Sequence, residues 1–243
     1  EVWTLTKEKL QSDPNLTVRG LIEQSNVAFI GTTDDPVDSL EWHEKIAADP
    51  TIHFQVCPSF RPDKAININK PGFAAYMEKL AASVGKSTLA TVSEVCDALT
   101  ERLQFFADHG CRASDHGLDY IPFRPVSEKE ADAALAKVMC GETLTTEEAE
   151  GYQTALLLHL GKEYHKRGIV MQIHYSCLRG VNEGMNAKLG PDTGFDMIAQ
   201  NTCGGDIAKL LSALSGEGAC PKTILYSLNP ADNQQLDTML GCF

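Results

Sequence analysis

The chain has no run of about 18 apolar residues, so it offers no candidate for a membrane-spanning helix. Its first residues, EVWTL, lack the charged segment, apolar stretch and cleavage site of a secretory signal. Positive charge is scarce. There are 21 Lys and Arg against 33 Asp and Glu, a formal net charge of −12. That argues against broad affinity for nucleic acid or an anionic membrane surface. It leaves an anionic small molecule open, because a local arginine site can outweigh the global field. No C-x-x-C pair occurs among the eight cysteines, which leaves a zinc ribbon unsupported. A Walker loop, a G-x-G-x-x-G turn after a strand and a G-x-S-x-G elbow are all missing. Nucleotide-binding and serine-hydrolase readings lose their support with them. There is no repeat with a period of about 20–50 residues, no low-complexity tract and no internal linker.

What is present is the composition of an ordinary globular protein. Its 243 residues are 43% apolar and 22% charged, enough for one large domain with a sizeable core. Several cysteines sit in apolar runs such as FQVCP and HYSCL, where a thiol packs as a small hydrophobe. We expect reduced thiols and a cytoplasmic setting. Glu1 is not a natural start and Phe243 follows an apolar helical segment, so both ends read as cut.

Five short runs predict strands, at 27–31 (VAFIG), 52–57 (IHFQVC), 111–114, 169–174 and 223–228 (TILYSL). Three are nearly continuously apolar, the pattern of parallel strands covered on both faces. Helical periodicity lies between them, at 38–48, 73–84, 87–109, 128–139, 147–167 and 206–214. Ser127-x-x-Glu130 and Thr145-x-x-Glu148 read as capping boxes. Gly110 and Gly168 suit the position just past a helix. Strand, loop and helix in steady alternation predict an α/β fold with right-handed crossovers. Residues 1–243 read as a single domain, with 119–150 a helical excursion beside the sheet. Five strands are too few to close an eight-stranded barrel, so the sheet is either open or part of one.

Polar clusters follow the strands. Thr32-Thr33-Asp34-Asp35-Pro36 could bind a sugar hydroxyl or a metal through its acids. The plainer role is an N-cap, with Pro36 opening the next helix, and it is favoured for at least one of the two. Ser59-Phe60-Arg61-Pro62-Asp63-Lys64 offers an arginine for a carboxylate, or a surface ion pair. Ser114-Asp115-His116-Gly117 is a turn or a site. On a strand Asp115 and His116 would point to opposite faces, so only one would face a ligand. We favour function for Asp115. In VMQIHYSCLR, at 170–179, an apolar strand delivers His174 at its end and Arg179 follows. A histidine there is either a satisfied core residue or a metal ligand or proton carrier. The other histidines, His43, His53, His109, His159 and His165, read as structural or surface. The segment LGPDTGF at 189–195 is a turn-rich loop able to fold over a ligand.

In this order the clusters resemble the uronate isomerases of the amidohydrolase superfamily. The matching stretches are GTTDDPVDSLEWH, PSFRPDKAINI, FADHGCRASDHGLD, VMQIHYSCLRG, LGPDTGFD and PKTILYSLNPADN, which cover nearly the whole chain. The resemblance implies a distorted TIM-like (β/α)8 barrel, of which about five central units, strands two to six, lie in this chain. The family's first-strand His-x-His is absent here, and its Gly-Trp-Trp-Phe and Asp-Ser-Arg motifs would fall beyond Phe243. The implied activity is aldose–ketose isomerisation of D-glucuronate and D-galacturonate. The implied partners are a hexuronate and further copies of the chain in a homo-oligomer, with no nucleic acid or membrane. The implied cofactor is one divalent metal, zinc, held weakly or not at all by these residues alone. Residue by residue, His174 falls at or beside the metal, and Asp115 matches an acid that opens the sugar ring and moves protons. Arg61 and Arg179 match substrate-contacting arginines, and Asp35 is a further candidate for the substrate. HYSCLR replaces the family's usual His-Ile-Gly-Ala-hydrophobe-Arg and keeps the His-to-Arg spacing. Asn229 stands near a histidine position of hydrolase relatives. A metal-dependent hydrolase of the same superfamily, or an inactive sugar-acid-binding module, are the alternatives.

Overall fold

The computed structural model describes residues 1–199 and 204–243. Two helices open the chain, α1 (Val2–Ser12) and α2 (Val18–Gln24). Then β1 (Phe29–Asp34), α3 (Glu41–Ala47) and β2 (Gln55–Phe60) follow. Three helices, α4 (Asp63–Ile66), α5 (Phe73–Ser83) and α6 (Val92–Asp108), lead to β3 (Ala113–Gly117). Next come α7 (Glu128–Met139), α8 (Thr146–Arg167) and β4 (Val170–Tyr175). A two-stranded antiparallel ribbon, β5 (Cys177–Leu178) with β6 (Met197–Ile198), encloses α9 (Glu183–Leu189). The chain closes with α10 (Gly204–Gly216), β7 (Thr223–Ser227) and α11 (Asn233–Leu240).

The five principal strands form one parallel sheet in the order β1-β2-β3-β4-β7. Each pairs with the next in the chain, and among the described residues the sheet does not close on itself. All five expected strands are present. Four of them end further along than their apolar runs suggest, so Thr32–Asp34, Ser59–Phe60 and Asp115–Gly117 lie on strands and not in loops.

One face carries the core. Phe60, Ser114, His116, Met171 and Ile173 are all fully buried on it. The helices cover this face, and the buried cluster runs from Leu40 to Met239. Tyr152 and Tyr164 of α8 are fully buried, and Phe60 meets Phe106 of α6 edge-on, with ring centroids 5.1 Å apart. The other face holds Gly31, Thr33, Ser59, Asp115, Gln172 and His174. Within the described residues only the helix-covered face is fully packed. β4 alternates between half-exposed and buried along its whole length, with Gln172 and His174 on the half-exposed face and Met171, Ile173 and Tyr175 on the buried one.

Local signals act as their chemistry requires. Both expected capping boxes form, and Thr91 with Glu94 makes a third at the start of α6. Gly110 (φ 87°) and Gly168 (φ 64°) take the left-handed turn that ends a helix. The expected cap at Asp34 or Asp35 is not seen. Pro36 lies in a turn, and α3 starts only at Glu41, behind Leu40. Asp35 instead closes that turn by accepting the Val37 N–H (3.2 Å). Within 119–150, α7 packs along α8. No described helix is long and apolar enough to cross a membrane. The seven described cysteines are free thiols, and Cys203 falls outside the described residues.

Candidate active site

Parallel strands bring the side chains near their C-terminal ends to one rim. Here β1 supplies Thr33, β3 Asp115 and β4 His174, while Arg61 is the first residue past β2. Asp115 is the hub. Its Oδ1 accepts the His174 Nε2 proton at 2.8 Å. Its Oδ2 accepts from Thr33 Oγ1 at 3.2 Å and faces Arg61 Nη1 at 3.4 Å. Thr33, Ser59, Asp115, Gln172, His174 and Tyr226 line an open hollow of about 620 Å³.

Partial burial pushes the Asp115 carboxyl up. The hydrogen bond from His174 and the charge of Arg61 outweigh this and hold it below the ordinary carboxylate range. Asp115 is therefore an anion at neutral pH. As an ionised carboxylate it can only accept, which assigns the proton in the Asp115–His174 bond to Nε2.

His116, one residue on, points the opposite way. It is fully buried, with Nε2 3.1 Å from the Tyr164 hydroxyl and Nδ1 3.5 Å from Asp63 Oδ1. The expected opposite orientation of Asp115 and His116 is present.

Asp35 follows β1 but is fully engaged. Its carboxylate accepts from Tyr76 Oη (2.7 Å) and pairs with Lys64 Nζ (2.9 Å). Arg179 belongs to a second cluster, on the β5–β6 ribbon. Its Nη1 lies 3.1 Å from both Asp192 and Asp196. The turn-rich loop at 189–195 thus folds back onto Arg179, and Arg179 is not among the residues lining the hollow. Asn229 caps a short helical turn after β7, accepting the Ala231 N–H (3.1 Å). Among the remaining histidines, His43 Nε2 is 2.7 Å from Thr32 Oγ1, and His109 Nε2 is 3.0 Å from Glu44. Both serve helix-to-strand or helix-to-helix contacts.

Thr33, Gln172 and Tyr226 acquire places at the hollow that the sequence reading did not assign them. Two-residue periodicity was the available signal. Stepping back two from His174 reaches Gln172, whose Oε1 accepts from Tyr226 Oη (2.9 Å).

Asp115 and His174 give a cation two donors. Among the described residues no group of three or more His, Cys, Asp or Glu is arranged to hold a metal ion. Even an open catalytic zinc site uses three protein ligands, and a closed one four, so these residues do not fit a complete metal centre by themselves.

An acid, an imidazole and a guanidinium gather at the C-terminal rim of the parallel strands, the edge where barrel folds carry their sites. The chain belongs to the glucuronate isomerase family, whose profile matches residues 1–243. It is 48% identical to the uronate isomerase of Lachnospira eligens and 46% identical to that of Lachnoclostridium phytofermentans, both over all 243 residues. It covers 52% of each, and so spans about half the length of the curated relatives it matches. Crystal structures agree. The uronate isomerase of Thermotoga maritima superposes on the whole chain with a TM-score of 0.91 at 32% identity, 52% of that protein being covered. The glucuronate isomerase of Caulobacter crescentus matches 91% of the chain with a TM-score of 0.82 at 26% identity, 45% of it being covered. The fold is accordingly the amidohydrolase-type (β/α) barrel, here with five of its strands.

Proposed function

We propose that the complete protein interconverts aldose and ketose forms of hexuronates, D-glucuronate with D-fructuronate and D-galacturonate with D-tagaturonate. The observation that carries this is the Asp115 carboxylate, held ionised between His174, Arg61 and Thr33 over an open hollow. The family supports it. Isomerisation opens the sugar ring and then moves a proton between C2 and C1. A carboxylate within reach of the hydroxyls can take and return protons in both steps. Asp115 fills that role. The enediolate formed between the steps carries negative charge on oxygen, and a fixed cation nearby stabilises it. Arg61 provides such a charge. Its Nε and Nη1 are engaged by protein, which leaves Nη2 for a ligand oxygen.

A uronate also brings a permanent carboxylate, which an arginine fork binds more specifically than lysine. Arg179 is our candidate for that group, exchanging Asp192 or Asp196 for substrate. Asp35 is a further candidate for the substrate, which would have to displace Tyr76 or Lys64 from its carboxylate. The one divalent cation, zinc, would have His174 as a ligand and take its others from residues outside this chain. Free thiols support a cytoplasmic setting, and a homo-oligomeric assembly rests on the resemblance alone.

The test uses the complete protein and an assay of glucuronate-to-fructuronate conversion. Asp115→Asn is expected to lower kcat by about 100-fold or more. Arg179→Met is expected to raise KM, with kcat less affected. Near-normal kcat in the first removes Asp115 from proton transfer, and unchanged KM in the second removes Arg179 from the substrate.

A further inference from the structure

Gly117 ends β3, and its registered partner on β4 is His174. A Cβ built on Gly117 would lie 2.2 Å from Arg61 Nη2 and 2.5 Å from His174 Cε1. Both distances are shorter than any real Cβ contact. The backbone of Gly117 is not left-handed, so a side chain here would be opposed by space alone, and would fit only if Arg61 and His174 moved. The missing side chain lets the imidazole reach back across the strand to Asp115, two residues before its registered partner.

Behind this glycine stands Asp63, at the start of α4 and only 8% exposed. Its Oδ2 accepts Arg61 Nε–H at 3.0 Å and the Gly117 N–H at 2.8 Å. Its Oδ1 faces buried His116 at 3.5 Å. Burial pushes the Asp63 carboxyl up, but the neighbouring His116, the hydrogen bond from the Gly117 amide and the charge of Arg61 together hold it below the ordinary range. The guanidinium of Arg61 is thus gripped from two sides, by Asp63 at Nε and by Asp115 at Nη1. A planar fork held at two nitrogens has its plane fixed.

We propose that Asp63 and Gly117 are positioning residues of this site. Asp63 anchors Arg61 from behind, and Gly117 provides the space in which Arg61 and His174 converge on Asp115. Neither touches substrate. The kinetic part of this proposal rests on the isomerase reading, whereas the geometric part does not.

The experiment compares Asp63→Asn, Asp63→Glu and Gly117→Ala in the complete protein, by steady-state kinetics on glucuronate and by crystal structures of the variants. Misplacing a reacting group by about 1 Å costs about 100-fold, so Asp63→Asn and Gly117→Ala are each expected to lower kcat/KM by about that factor. Most of the loss should fall on kcat, with the melting temperature of Gly117→Ala close to that of the wild type. Asp63→Glu keeps the charge and is expected to recover part of the loss. In the crystals, Arg61 or His174 is expected to leave Asp115. Wild-type kcat/KM in either variant, or crystals with both side chains still on Asp115, overturns the proposal. Should Asp63→Asn fail to fold, Gly117→Ala and Asp63→Glu decide it. If the wild type itself isomerises neither glucuronate nor galacturonate, the isomerase reading fails, and the crystals alone judge the positioning.

Discussion

Asp115 and His116 are consecutive residues of β3. The pleat sends the first into an open polar hollow and the second into a dry layer beneath α8. On the hollow side, Thr33, Asp115 and His174 are each partly exposed and held by hydrogen bonds and charge. On the helix side, Ser114, Met171 and Ile173 are fully buried and held by packing. The same strands therefore divide their work by parity. One face stores the protein's stability, and the other is free to carry groups that a packed core would neutralise or exclude.

Substitutions on the two faces should separate these roles. The largest stability effect is expected from Ile173→Ala, on the helix side. It leaves a cavity under α8 and should cost about 2–5 kcal/mol in urea unfolding. Asp115→Asn, on the hollow side, keeps the side chain's volume and should cost less than Ile173→Ala in the same experiment. A comparable loss from both would erase the division. Tyr164→Phe is a smaller change to the buried face. It removes the hydroxyl that meets His116 Nε2 and leaves that nitrogen without it, for an expected loss of about 1–3 kcal/mol. An unchanged unfolding midpoint would show that the contact contributes nothing.

The smallest effects lie in the helices and depend on pH. Burial pushes His159 on α8 down. Glu163, Asp97 and Lys166 also act on its charge, and Thr100 meets its Nε2 at 2.8 Å. A histidine depressed in the folded state binds its proton more readily once unfolded. Stability is therefore lost as pH falls below about 6.5, the ordinary histidine value. His109, at the end of α6, behaves in the opposite way. Its hydrogen bond to Glu44 is the main cause that raises it. Its contribution is complete below the ordinary value and disappears as pH rises through the raised one. Replacing each by Gln should move the melting temperature oppositely. At pH 5.5, His159→Gln gains on the wild type and His109→Gln loses. Shifts of the same sign would contradict both assignments.

These faces were unequally visible in the sequence. Apolar runs located every principal strand, because the helix-covered face supplies the apolar residues. Those runs stop early on four strands, where Thr33, Ser59 and Asp115 look like loop residues. They are polar because the rim of the hollow is open, so the strand ends most concerned with chemistry were the hardest to recognise. Capping boxes at Ser127 and Thr145 were readable, since hydrogen bonding over four residues is a local rule. The β5–β6 ribbon was not, because two-residue strands leave no periodicity. In the site, Asp115 and His174 were named singly, while their contact spans 59 residues of sequence. Asp63 stood in a quoted cluster without a role, because its three partners meet it only in the folded chain.

Strand order along the sheet is also strand order along the chain. During synthesis, among the five described strands of this sheet, each emerges when the previous one in the sheet has already been made, and none of the five waits for a later one to insert between it and its predecessor. The sheet can extend from one edge in step with translation, with the intervening helices closing over one face as they appear. The Asp115–His174 contact belongs to the β3–β4 step of that growth. The centre of the rim can therefore come together while the ribosome is still extending the chain toward β7.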